Sequence, residues 1–152
     1  MDAERLRAYL LTLPHVAETM QWGANLVFWV GDKAIGGKMF ALINLDEPAE
    51  QAASKPQLIL SYSAGPERYG ELVERECLVP APYMARIHWV AAESWQVFTD
   101  AEWKRELRSA YEITLAKLPK KVRAVLALPA VEQRRMIAMS RKQLEASAKK
   151  AK

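Results

Sequence analysis

Gly36-Gly37-Lys38-Met39-Phe40-Ala41-Leu42-Ile43 is the stretch whose reading decides the fold. Leu, Ile and Phe crowd the segment from Lys38 to Leu45, which predicts a β-strand. The glycine pair before it suits a bulge or a bent connection, because glycine accepts backbone conformations closed to other residues. Working outward, Ala17 to Trp22, Asn25 to Val30 and Gln57 to Ser63 carry the same kind of pattern and read as further strands. Gly23-Ala24-Asn25 and Gly31-Asp32-Lys33 supply turn residues between neighbours, so antiparallel pairing is the economical arrangement. The run from Gly31 to Lys38 also has a superficial likeness to a phosphate-binding loop, but its register fails. Gly37 stands where Lys is required, no Ser or Thr follows to supply the magnesium-binding hydroxyl before Met39, and a strand follows instead of a helix.

Helices flank these strands. Asp2 is an N-cap, and Leu6, Tyr9, Leu10 and Leu13 recur at helical spacing until Pro14. Gly65-Pro66-Glu67 opens a short helix reaching about Glu76, with Pro and acids placed favourably near its start. Val79-Pro80-Ala81-Pro82 is extended by its prolines and leads into a strand from Arg86 to Ala92, with Trp95 to Phe98 as a short last strand. Thr99 and Asp100, with Glu102 following, cap a long helix from Ala101 to Leu118, which places Trp103, Leu107 and Tyr111 on one face. Lys120 to Leu128 and a helix from Pro129 to about Ser147 follow, and Ala148 to Lys152 reads as a frayed end. The expectation is an α+β fold: a two-layer, mainly antiparallel sheet with helices on one face, the other face partly open, plus a C-terminal basic helix.

Composition narrows the class. A chain of 152 residues is long enough for one substantial core. Hydrophobic residues at 51% and charged residues at 26% exclude global disorder. The single Cys77 cannot form an internal disulfide and has no metal-ligand spacing, which suits a reducing cytoplasm. Neither a signal peptide nor a membrane span is evident, and the expected location is cytoplasmic. Charge is divided unevenly. Residues 1–116 hold 11 Lys and Arg against 16 Asp and Glu, whereas residues 117–152 hold 11 against 2, so the net charge of +4 belongs to the C-terminal segment. A polyanion meets that segment first.

The glycine-led strand, Ala81-Pro82-Tyr83-Met84-Ala85-Arg86-Ile87-His88-Trp89-Val90, Leu13-Pro14, Trp22-Gly23, and Ala110-Tyr111-Glu112-Ile113 leading to Ala116-Lys117-Leu118-Pro119-Lys120-Lys121 together resemble the MmcQ/YjbR family of small bacterial proteins. The resemblance covers roughly residues 2–121, giving a family-like domain over residues 1–121 and a basic helical extension over residues 122–152. It implies a two-layer fold similar to CyaY and the secretion chaperones, and DNA binding through a double wing. In this chain the wings correspond to the Lys33–Lys38 connection and the Pro80–Arg86 segment. The family brings no catalytic residues. Where many relatives carry a basic strand ending in Asp-Pro, this chain has Leu60-Ser61-Tyr62-Ser63-Ala64-Gly65-Pro66.

Candidate binding residues fall in two groups. Strand alternation through Arg86–Ala92 puts Arg86 and His88 on one face, near Tyr83, and Ile87 and Trp89 on the other, under the helices. The polar trio suits a phosphate or carboxylate, or a protein partner, on the open sheet face; the plainer account is a structural strand end whose His and Arg bond to the fold itself. The second group is basic. Lys33 and Lys38 flank the glycine-rich connection, and Arg134, Arg135, Arg141, Lys142 and Lys149 form one broad stripe on the last helix, with Met136, Ile137 and Leu144 opposite. Such a helix docks by its apolar side and offers its charges to nucleic-acid phosphates, to anionic lipid, or simply to solvent. His15 is read as a helix cap, and Glu71, Glu74 and Glu76 as a solvated helix face. Cys77 has no paired base, so no catalytic residue, metal ligand or cofactor is expected.

Overall fold

A computed structural model of the protein describes residues 1–46 and 57–150. Its centre is a six-stranded antiparallel sheet in the order β1-β2-β3-β4-β6-β5. The strands are β1 (Val16–Gln21), β2 (Asn25–Val30), β3 (Lys38–Asn44), β4 (Leu60–Ser63), β5 (Leu78–Pro80) and β6 (Trp89–Ala92). The helices are α1 (Ala3–Leu10), α2 (Tyr69–Leu72), α3 (Asp100–Ala116), α4 (Lys120–Leu126) and α5 (Ala130–Lys150). The expected α+β class is what the chain adopts.

Alternation sorts the sheet into two faces. Leu26, Phe28 and Val30 of β2, Ile43 of β3, Leu60 and Tyr62 of β4, and Val90 and Ala92 of β6 point one way and are buried against α1 and α3. From α3 come Trp103, Leu107, Ala110 and Tyr111, spaced so that they share one helix face. The capping box at the start of α3 is complete: Glu102 N–H donates to Thr99 Oγ1, and Thr99 N–H donates to Glu102 Oε1. Asp2 caps α1 by accepting from the Arg5 N–H at 2.8 Å.

The glycine pair does two different jobs. Gly36 sits at φ 95°, closing the Lys33–Ile35 3-10 turn. Gly37 lets two chain segments touch, because a Cβ there would lie 1.9 Å from the Gly31 carbonyl oxygen. The bulge lies further along: Phe28 pairs with Ala41 and Trp29 with Met39, leaving Phe40 unmatched on β3. Consequently Phe40 and Ala41, adjacent in sequence, both enter the core.

Three expected elements come out differently. Ala85–Ile87 is a 3-10 turn, ended by His88 at φ 62°, and β6 starts only at Trp89. The His88 N–H donates to Ala85 O, and the Trp89 N–H to Met84 O, so the chain folds on itself before it can join the sheet. Alternation therefore does not run from Arg86 through Trp89. Trp89 faces away from the helices and is buried with Ala81 and Ala91 in a second, small core, where Met84 lies over the sheet. Ile87 is exposed. Trp95–Val97 is likewise a 3-10 turn, capped by Ser94, and Trp95 is half-buried, packing edge-on against Trp103 at 5.4 Å. His15 does not cap α1, whose C-cap is Leu11; instead its carbonyl accepts from the Gly31 N–H at 2.8 Å.

The C-terminal segment divides in two. α4 belongs to the body, since Val122 and Val125 are buried. α5 extends to Lys150, past the expected end near Ser147, and none of its side chains is buried; the expected fraying of Ala151 and Lys152 falls outside the described residues.

Candidate functional site

The basic surface is built on the Lys33–Ile35 turn, α4 and α5. Asp32 organises it. Its carboxylate caps the turn by accepting from the Ala34 N–H at 2.8 Å, and also holds the Arg141 guanidinium of α5 in an ion pair. Arg141 is thus turned onto the body, not out with the stripe expected for it. Lys33 lies over the Trp29 ring at 5.6 Å, within the range of cation–π attraction. Lys38 is exposed at the start of β3.

On α5 itself, Arg134, Arg135, Lys142 and Lys149 are exposed and, among the described residues, make no ion pair. Gln133 anchors the start of the helix by donating to Leu126 O at 3.0 Å and Leu128 O at 2.6 Å. Met136 and Leu144 line a groove of about 500 Å³ against Ile35, Val122 and Val125 and so face the body as expected, but both stay exposed and Ile137 does not line the groove. The groove leaves α5 seated along one edge only.

The trio Tyr83, Arg86 and His88 does not converge. Tyr83 stands fully exposed at φ 65°, and Arg86 is exposed on the next turn. The His88 ring packs edge-on against Tyr69 of α2 at 5.5 Å. Phe28 and Tyr62, the aromatic side chains of the neighbouring strands, are fully buried on the helix side of the sheet and give this trio no apolar floor.

Sequence reading missed a third cluster. Tyr62 of β4 donates its hydroxyl to Glu106 Oε2 at 2.9 Å, and Arg68 pairs with the other oxygen of the same carboxylate. Glu106 is a buried carboxylate inside the apolar stripe of α3. Burial, with Glu106 beside it, drives the Tyr62 phenol far above its ordinary range, because ionising it would place two negative charges together out of water. The signal was present: Glu106 follows Trp103 by three residues and precedes Leu107, a position that should be apolar.

The six-stranded antiparallel sheet with α1 and α3 on one face defines a two-layer α+β protein. Over residues 11–113 the chain matches the family model described as YjbR, and it belongs to the YjbR family. It is similar to the crystal structure of Deinococcus radiodurans protein DR2400, which carries a DUF419 domain: identity is 28%, TM-score 0.66, and the match covers 83% of this chain and 88% of that one. No curated protein matches the chain. Among the described residues, no helix is long and apolar enough to cross a membrane.

Proposed function

We propose that the protein binds DNA through sequence-independent contacts to phosphates, led by α5 and continued onto the Lys33–Ile35 turn. The observation that carries this reading is the exposed row Arg134, Arg135, Lys142 and Lys149, without ion-pair partners among the described residues, on a helix that buries no side chain of its own. A helix in a folded protein ordinarily earns its place by burying an apolar face. α5 instead meets the body through one ion pair, the Gln133 hydrogen bonds and the rim of a groove, and along its length carries six Lys and Arg against two Glu.

Charge balance supports the same direction. Residues 117–152 hold 11 Lys and Arg against 2 acids, so the field that attracts a polyanion is concentrated in α4, α5 and the residues around them. Phosphate contact positions a protein on a duplex without reading its bases, and no catalytic step is assigned to this surface.

The test is a chain ending at Leu128, which keeps α4 and its buried Val122 and Val125. This shorter chain should fold, as judged by circular dichroism, and fail to retard a short duplex at low salt. Retention of full retardation would move the interface to the body and refute the proposal.

A further inference from the structure

We infer that the groove between the α2 region and α3 is a site for an organic phosphate, separate from the basic helix. Arg68, Arg75, Arg105 and Arg108 line this groove of about 480 Å³ together with Glu102, Glu106 and Glu112, with Ser109 among them and Phe98 beneath Arg75. The Arg75 guanidinium lies 4.5 Å from the Phe98 ring centroid and donates to Val97 O at 2.8 Å. Those two contacts fix a flexible side chain. Arg105 has no ion-pair partner among the described residues, Arg75 has only Glu102, at 4.0 Å, and Arg108 pairs with Glu112 at 3.2 Å.

Arg68 is the best-placed member. Its carboxylate partner Glu106 is only 9% exposed in its side chain, whereas the Arg68 side chain is 39% exposed, so the pair is anchored at one end and open at the other. A buried carboxylate contributes little net stability, because desolvation offsets the attraction to its partner. What it supplies here is position. Glu106, itself held by the Tyr62 hydroxyl, sets one guanidinium at the junction of two cavities.

The second cavity, about 300 Å³, shares Arg68 and Ser109 with the first and is otherwise formed by Ala64, Gly65, Pro66, Glu67 and Ile113. One side of the junction therefore carries four guanidinium groups against three carboxylates, with Arg105 the member left without an ion-pair partner among the described residues, and the other side is largely apolar. A phosphoryl group suits the first side, because several forked donors meet its oxygens at once. The small organic body of the same molecule lies over Gly65, Pro66 and Ile113.

Phenyl phosphate is the probe, titrated into the full-length chain and followed by amide NMR shifts and calorimetry. Saturable shifts should centre on residues 64–68 and 105–113. Arg75→Ala and Arg105→Ala, both at exposed positions, should each weaken binding by about tenfold, the usual effect of losing a charge-assisted hydrogen bond. Glu106→Gln should weaken binding in the full chain but not further in an Arg68→Ala chain, since its effect passes through that guanidinium. Absence of saturable shifts, shifts confined to residues 130–150, or unchanged affinity in the Arg75→Ala/Arg105→Ala chain would overturn the site. Benzoate binding as tightly as phenyl phosphate would overturn its assignment to phosphoryl groups, and additive losses from Glu106→Gln and Arg68→Ala would overturn the anchoring role.

Discussion

Replacing Trp89 by Ala tests whether the sheet carries a second core on the face away from the helices. The Trp89 side chain is 3% exposed and packs with Ala81 and Ala91, with Met39, Leu42 and Met84 around them. A buried Trp removes about 150–250 Å² from water, which at about 25 cal/mol per Å² amounts to about 4–6 kcal/mol against an extended chain. A compact unfolded ensemble lowers that by about 10–40%, leaving about 2–5 kcal/mol, in line with large-to-small core substitutions generally. Arg86→Ala, three residues earlier but exposed on the 3-10 turn, should cost less than about 0.5 kcal/mol. Urea unfolding of the two variants beside the parent chain measures both. A Trp89→Ala loss below about 1 kcal/mol would show that Ala81–Ile87 does not cover a core, since an exposed Trp leaves no cavity of that cost. Equal losses from the two variants would place Arg86 in a buried polar network.

Two further outcomes are expected. Gly37→Ala should destabilise the chain by at least about 1–3 kcal/mol, the range for overpacking, because its Cβ meets the Gly31 carbonyl oxygen at 1.9 Å; Gly70→Ala, in open space and without a positive φ, should cost far less by thermal unfolding. Burial and the nearby Glu106 raise the Tyr62 phenol above its ordinary value of 10.0, so above that pH the unfolded chain releases a proton that the folded chain keeps, and stability falls as pH rises. Tyr62→Phe should remove part of that alkaline loss while costing about 1–3 kcal/mol at neutral pH, where Glu106 loses a donor; an unchanged alkaline slope in pH-dependent denaturation would refute the burial of this hydroxyl.

Local chemistry made most of the architecture legible. Thr99 with Glu102, Asp2, and the run Asn25 to Val30 each state their element within a few residues, and each forms where expected. The segment before β6 was not legible by the same means. Arg86, Ile87 and His88 look like a continuation of the strand pattern, and only the positive φ of His88 and the hydrogen bonds back to Met84 and Ala85 show that the chain turns first. One misplaced strand start then moved Trp89 to the wrong face, because side chains alternate at every residue. The tail shows the same limit. Heptad spacing put Arg141 with Arg134, but the charge of Asp32, distant in sequence, decided which side Arg141 takes. Glu106 was overlooked for the opposite reason: its neighbours identified a core face, and its own charge was read past.

The measurement that bears most directly on the central claim is the salt dependence of duplex binding. Full-length protein and a variant carrying Arg134→Gln, Arg135→Gln, Lys142→Gln and Lys149→Gln should be titrated with the same short duplex over a range of salt concentrations. If these four exposed side chains neutralise phosphates, the log–log slope of affinity against salt for the parent should be about −3 to −4, from roughly 0.9 per phosphate contacted. The variant should then lose most of that slope together with its low-salt affinity. A variant with the parent's slope and affinity would contradict the account, because the phosphates would then be held by some other surface of the protein.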